Sequence, residues 1–182
     1  MSALAEEKEK PARGLLIVYT GQGKGKTTAA LGTAFRALGW GQSVAFVQFI
    51  KGKWKTGERL FAEGLPRLTF LVMGLGFTWE SDDISRDKQA ARQAWDKSKE
   101  LLAAGAHALV VLDELTYVIN YGFVPLDEIL EALKSRPPHV HVIVTGRKAP
   151  DALLALADLV SEMIPVKHPY QQGVPAQRGI DF

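Results

Sequence analysis

The chain has 182 residues, 47% of them hydrophobic, a formal net charge of +2 and no cysteine. That length suits one domain with a substantial core; the missing thiols exclude disulfides, thiolate nucleophiles and cysteine metal sites, and the near-neutral charge argues against a broad nucleic-acid surface. Residues 1–13 are charged and lack the apolar stretch of a signal peptide, and no apolar run reaches the ~20 residues that span a bilayer, so a soluble, cytoplasmic protein without a membrane partner is expected.

Residues 1–13, with Glu6 to Lys10 ahead of Pro11, read as a flexible N-terminal segment, or else as a flap that orders over ligand; the folded domain is expected over 14–182. Leu15–Tyr19 is the first predicted strand. It runs into Gly21-Gln22-Gly23-Lys24-Gly25-Lys26-Thr27-Thr28, and an alanine-rich helix is predicted over Thr28–Leu38, with Leu31, Ala34, Phe35 and Leu38 on its apolar face. Strand, glycine loop and helix in that order form the context of a phosphate-binding loop. Glycines let the backbone aim several N–H groups at one point, and the new helix adds its positive end. Lys26 is placed to reach phosphates as a point charge, and the Thr27 hydroxyl to ligate a magnesium ion. Thr20 stands where the usual pattern has its first glycine, so the loop is one residue short and holds a second lysine, Lys24. Arg36, about two turns into the helix, is either a ribose or base contact or a solvated arginine.

Ser43–Phe49 is continuously apolar, as in a strand covered on both faces. Lys51, Lys53, Lys55 and Arg59 around Trp54 fit either a solvated loop or a single-strand nucleic-acid contact, and the low net charge favours the loop. Leu68–Val72 is a further strand. After it, a glycine-containing loop carries Phe77 and Trp79, either a plug on the core or an apolar wall for a bulky, flat ligand. Ile84–Ala104 reads as a long amphipathic helix with Ile84, Ala91, Trp95 and Leu102 at near-helical spacing.

Ala108–Leu112 is a strand ending in Asp113-Glu114. In a phosphate-loop protein this strand lies beside the loop and ends at the same edge, so one carboxylate is placed to face the magnesium ion and the other to hold the Thr27 region or a neighbouring loop, since successive residues point to opposite sides; the alternative is a pair of acids at the start of a helix. A helix over Pro125–Lys134 and a strand over Val140–Val144 follow. Arg147 then falls at the same edge, as a phosphate contact or a surface ion pair. Pro150–Ala157 and Leu159–Ile164 complete the alternation. The pattern predicts an α/β fold: a phosphate-loop NTPase-like (RecA-like), mainly parallel sheet with helices on both faces, binding ligand beyond the carboxyl ends of its strands.

Taken together, Gly21 to Thr28, Val47-Gln48-Phe49-Ile50-Lys51-Gly52, Gly76-Phe77-Thr78-Trp79-Glu80, Val111 to Tyr117, Val144 to Arg147, Pro165 to His168 and Gly179-Ile180-Asp181 keep their order from about Gly14 onward. The chain so resembles the phosphate-loop class of ATP:corrinoid adenosyltransferases, the CobA/BtuR type. The resemblance implies transfer of the 5′-deoxyadenosyl group of ATP to the cobalt of a reduced corrinoid, with release of triphosphate. It implies ATP held in reversed polarity on the short loop and magnesium held by Thr27 and Glu114; Asp113 is a further candidate metal ligand from its place at the strand end, and Lys24 and Lys26 are placed to neutralise the departing triphosphate. It places Phe77 and Trp79 against the lower face of the corrin ring. It further implies a homodimer and an electron-donating flavoprotein reductase as partner. One departure is Gln22, where the family commonly has asparagine. A kinase or ATPase cutting at the γ-phosphate, and a non-catalytic nucleotide-binding module, are the rival readings.

Overall fold

The computed structural model describes residues 13–52, 55–74, 76 and 84–182. Six parallel strands form one sheet in the order β3-β2-β4-β5-β1-β6: β1 Leu16–Thr20, β2 Val44–Gln48, β3 Leu68–Val72, β4 Leu109–Asp113, β5 His141–Thr145 and β6 Leu159–Glu162. The order follows burial. β2 and β4 (VAFVQ and LVVLD) are buried at every position and lie inside the sheet, whereas β6, with Leu159 and Val160 exposed, closes one edge. Continuous apolar runs are what a parallel strand covered on both faces requires.

The helices are α1 Lys26–Gly39, α2 Gly57–Ala62, α3 Ile84–Ala104, α4 Leu115–Asn120, α5 Leu126–Ser135 and α6 Asp151–Leu156. α1 covers one face of the sheet, packing Ala30, Ala34 and Ala37 on Val44, Phe46, Val111 and Ile143. α3, α5 and α6 cover the other, where Ala91, Trp95, Ile129, Leu133 and Leu153 meet Val47, Leu112 and Val144. Among the described residues no helix is long and apolar enough to cross a membrane.

Three expectations change. The buried face of α1 is the alanine stripe, and Phe35 is 68% exposed; small side chains let the helix backbone lie close to the sheet, which turns the bulky neighbour outward. Ile84 opens α3 in solvent, while Ala91, Trp95 and Leu102 are buried as their spacing predicts. The short helices α2 and α4 are additional to the predicted elements; unlike α5 and α6, neither has a proline ahead of its first turn to mark it. Thr56 starts α2 by accepting the Arg59 N–H at 3.4 Å.

Candidate functional site

The carboxyl ends of β1, β4 and β5 converge under the loop that joins β1 to α1. Gly21 bends the chain there at φ 97°, and a Cβ on it would lie 2.5 Å from the Met163 carbonyl oxygen, so no other residue fits without movement. Gly23 N–H donates to that carbonyl at 2.6 Å, which ties the loop to the end of β6. Lys26 folds back across the loop and donates to the Gly21 and Gly23 carbonyls at 2.9 and 2.6 Å. Burial is the first cause holding its ammonium below the ordinary lysine range, with Arg147 second.

β4 does not lie beside β1. β5 is inserted between them, and its last residue makes the connection. Thr145 Oγ donates to Asp113 Oδ1 at 2.7 Å and accepts the Glu114 N–H at 2.8 Å. Asp113, wholly buried, also accepts from Thr27 Oγ at 2.9 Å and from Gln48 Nε2 at 3.2 Å. Of the two carboxylates, then, Asp113 holds the Thr27 region. Burial pushes its carboxyl up, opposed by the Thr145 bond, the Lys51 charge and the Thr27 and Gln48 bonds.

Glu114 adopts a left-handed conformation, φ 67°, as the residue before α4. That turn separates its direction from that of Asp113 and places it in the wall of a cavity of about 630 Å3. Burial, then the Asp113 charge, raise its carboxyl to about 7. Across the cavity stand Lys24, Lys26, Thr27 and Thr28 from the loop and α1, and Lys51 and Arg147 add cationic groups. The Arg147 turn is anchored from α4: Thr116 Oγ donates to the Arg147 carbonyl at 2.7 Å, and Asn120 Nδ2 does so at 3.2 Å. Gly146 is what allows that approach, since a Cβ there would meet Thr116 Oγ at 2.0 Å.

Among the sequence-predicted residues, Gly23 to Thr28, Glu114 and Arg147 share this cavity. Gly21 and Asp113 lie beneath it as supports, and Gln22 is exposed outside its lining. Arg36 is not part of the site: it is exposed beside a separate depression with Trp40 and His141, near the amino ends of the strands. A helix rising 1.5 Å per residue carries it roughly 15 Å from Lys26. Phe77 and Trp79 lie outside the described residues, as do Lys53 and Trp54. The chain that leads to Phe77 starts at the ligand edge, where Met73 and Gly76 donate to the Gln48 and Ile50 carbonyls at 3.0 and 3.1 Å.

Several contributors were missed. Lys51 belongs to a basic stretch and to the Val47–Gly52 motif in the sequence, which give it no role; it pairs with Glu58 at 2.6 Å in the cavity wall. Gln48 and Thr145 are polar residues ending apolar strands at the ligand edge, a signal that was present in the sequence. Tyr117, also in the wall, has its phenol raised first by burial and then by Glu114. Residues 179–182 close the cavity from the far end of the chain.

Among the described residues no cluster of three acidic or histidine side chains surrounds a metal position. Magnesium does not need one, because it keeps several waters and takes one or two protein oxygens plus substrate phosphates. Thr27 Oγ and the Glu114 carboxylate fit that donor set. Gln48 Oε1, buried and without a hydrogen-bond partner, leaves a further acceptor beside Asp113.

The family model ATP:corrinoid adenosyltransferase BtuR/CobO/CobP matches residues 12–182. The corrinoid adenosyltransferase CobA of Salmonella typhimurium is 52% identical over 171 residues, covering 93% of this chain and 86% of its own. The corrinoid adenosyltransferase of Pseudomonas aeruginosa is 45% identical over 184 residues, covering 99% and 91%. Among solved structures, the flagellar accessory protein FlaH of Methanocaldococcus jannaschii shares the fold, with TM-score 0.55 and 16% identity over 82% of this chain and 71% of that one.

Proposed function

The chain belongs to the ATP:corrinoid adenosyltransferase family, and we propose that the cavity over its short phosphate loop binds ATP as the donor of an adenosyl group. The enzyme adenosylates a corrinoid using ATP. In the reaction, the electron pair of a Co(I) corrinoid forms a bond to the ATP 5′ carbon. The bond from that carbon to oxygen breaks, and its electron pair leaves on triphosphate.

One observation carries the assignment of roles. A lysine-rich glycine loop faces Glu114 and Arg147 across a single cavity, with Thr27 anchored beneath by Asp113. Lys24, Lys26 and Arg147 take the phosphates and neutralise the leaving group. To do so, Lys26 exchanges two loop carbonyls for phosphate oxygens. Thr27 and Glu114 would hold magnesium, which supplies further charge stabilisation for the departing triphosphate. Proton transfer is not required, so the protein's task is alignment of nucleophile, carbon and leaving oxygen. On the family resemblance Phe77 and Trp79 are assigned to the lower face of the corrin, where an apolar pair would exclude a lower axial ligand and ease reduction to Co(I), as axial ligation tunes haem iron. A flavoprotein reductase as electron donor, a homodimer and a cytoplasmic location complete the reading; the first two rest on the family resemblance and the third on the sequence expectation.

The test is anaerobic incubation with ATP, magnesium and chemically reduced cobalamin, with both products identified. Triphosphate with a light-sensitive adenosylated corrinoid is expected. ADP with unchanged corrinoid would transfer the cavity to γ-phosphate chemistry.

A further inference from the structure

The segment Gly179–Phe182 lies far from the phosphate loop in sequence and yet lines the same cavity. Its Asp181 pairs with Lys24 through Oδ1. The carboxylate is not a loose surface group. Its other oxygen accepts the Gln177 N–H at 2.7 Å, the Asp181 N–H donates to the Gln177 carbonyl at 2.8 Å, and the Gly179 N–H donates to the Phe182 carbonyl at 2.8 Å. The side chain is 12% exposed against 47% for Lys24. A preformed turn therefore presents one fixed anion to one loop cation.

We infer that Asp181 is a tethered competitor for the phosphates, holding Lys24 between turnovers and lowering affinity for the triphosphate product. The inference rests on the reading of the loop as the triphosphate site. Two anions cannot share one ammonium group without repulsion, so a phosphate that reaches Lys24 must displace the carboxylate. Because the carboxylate belongs to the same chain, it returns at high effective concentration whenever the phosphate leaves. Such a device has a clear use here. Substrate and product carry the same three phosphates, so every contact that captures ATP also retains triphosphate, and uniform binding of this kind slows release without speeding chemistry. A competing anion weakens both, and the weaker product complex clears the site.

The test is calorimetric titration of the full chain with magnesium triphosphate and, separately, with MgATP, in the absence of corrinoid. Asp181→Asn keeps the shape of the side chain and removes its charge; Asp181→Ala removes both. Each is expected to bind triphosphate at least about threefold more tightly than wild type, in line with the loss of a partly exposed ion pair, and to be more strongly inhibited by triphosphate in turnover. The gain should shrink as salt screens the pair. Asp181→Glu should behave as wild type. Unchanged or weaker triphosphate binding in both neutral variants, with wild-type circular dichroism, would overturn the inference while leaving the loop assignment intact. Failure of the wild-type chain to bind either ligand would overturn the loop assignment, and the inference with it.

Discussion

Thr145→Val isolates the residue that joins the two carboxylates to the phosphate loop. Valine matches threonine in volume, so no cavity opens and the change is confined to one buried hydroxyl. Two hydrogen bonds disappear: the one given to Asp113 at 2.7 Å and the one taken from the Glu114 N–H at 2.8 Å. A bond to a charged acceptor contributes about 1.5–3 kcal/mol, and an orphaned N–H costs about 1–3 kcal/mol. The bonds share an oxygen and relax together, so a loss of roughly 3 kcal/mol is expected. For a chain of this size that corresponds to a melting temperature lower by roughly 8 °C. Glu114 also loses the contact that supports its left-handed backbone, so adenosylation should fall more than stability alone explains, at saturating ATP and at a temperature where the variant is folded. Urea unfolding and single-turnover adenosylation measure the two effects. Thr145→Ser, which keeps the hydroxyl, should recover activity. A valine variant within about 0.5 kcal/mol of wild type, or one as active as the serine variant, would refute the bridging role.

Glu114 makes stability depend on pH. Its folded pKa of about 7 lies above the ordinary carboxylate value of 4.5, so the folded protein holds an extra proton between the two. Stability is therefore highest below pH ~4.5 for this group and falls as pH rises toward 7. Glu114→Gln should be more stable than wild type at pH 8, by on the order of 2 kcal/mol after allowance for partial solvent access, with the gain vanishing near pH 4.5. A urea series that shows the same difference at both ends would refute this. Lys26→Ala should lose at least about a hundredfold in turnover by removing charge from the leaving phosphates, while Arg36→Ala should keep its KM for ATP within about twofold, since Arg36 lies in a different depression. Steady-state kinetics separate the pair, and reversed results would relocate the site. Phe77→Ala with Trp79→Ala should impair reduction and adenosylation of cobalamin and leave the Kd for ATP nearly unchanged; loss of ATP binding would return both aromatics to the core.

What the sequence determined by itself is what short-range chemistry encodes. Glycines in a strand-to-helix turn, two lysines and a threonine at the helix start define an anion site whatever surrounds them, and alternating apolar strands with amphipathic helices define a parallel sheet. Ordered motifs along most of the chain were enough to indicate the family. Gln48 and Thr145 stand out in the sequence as polar residues ending apolar strands, whereas Arg36 stays open there between a ligand contact and a solvated side chain until the fold places it at a different depression. Other features were decided only by tertiary structure. Period marks which side of a strand is apolar but not which strand is its neighbour, so the insertion of β5 between β1 and β4 was hidden, and with it the bridging role of Thr145. The outward turn of Phe35 follows from how closely α1 approaches the sheet. Which of Asp113 and Glu114 holds Thr27, and the arrival of Asp181 at Lys24, depend on packing between distant segments. Local propensity carries no information about such meetings, because their energy exists only once the chain has folded.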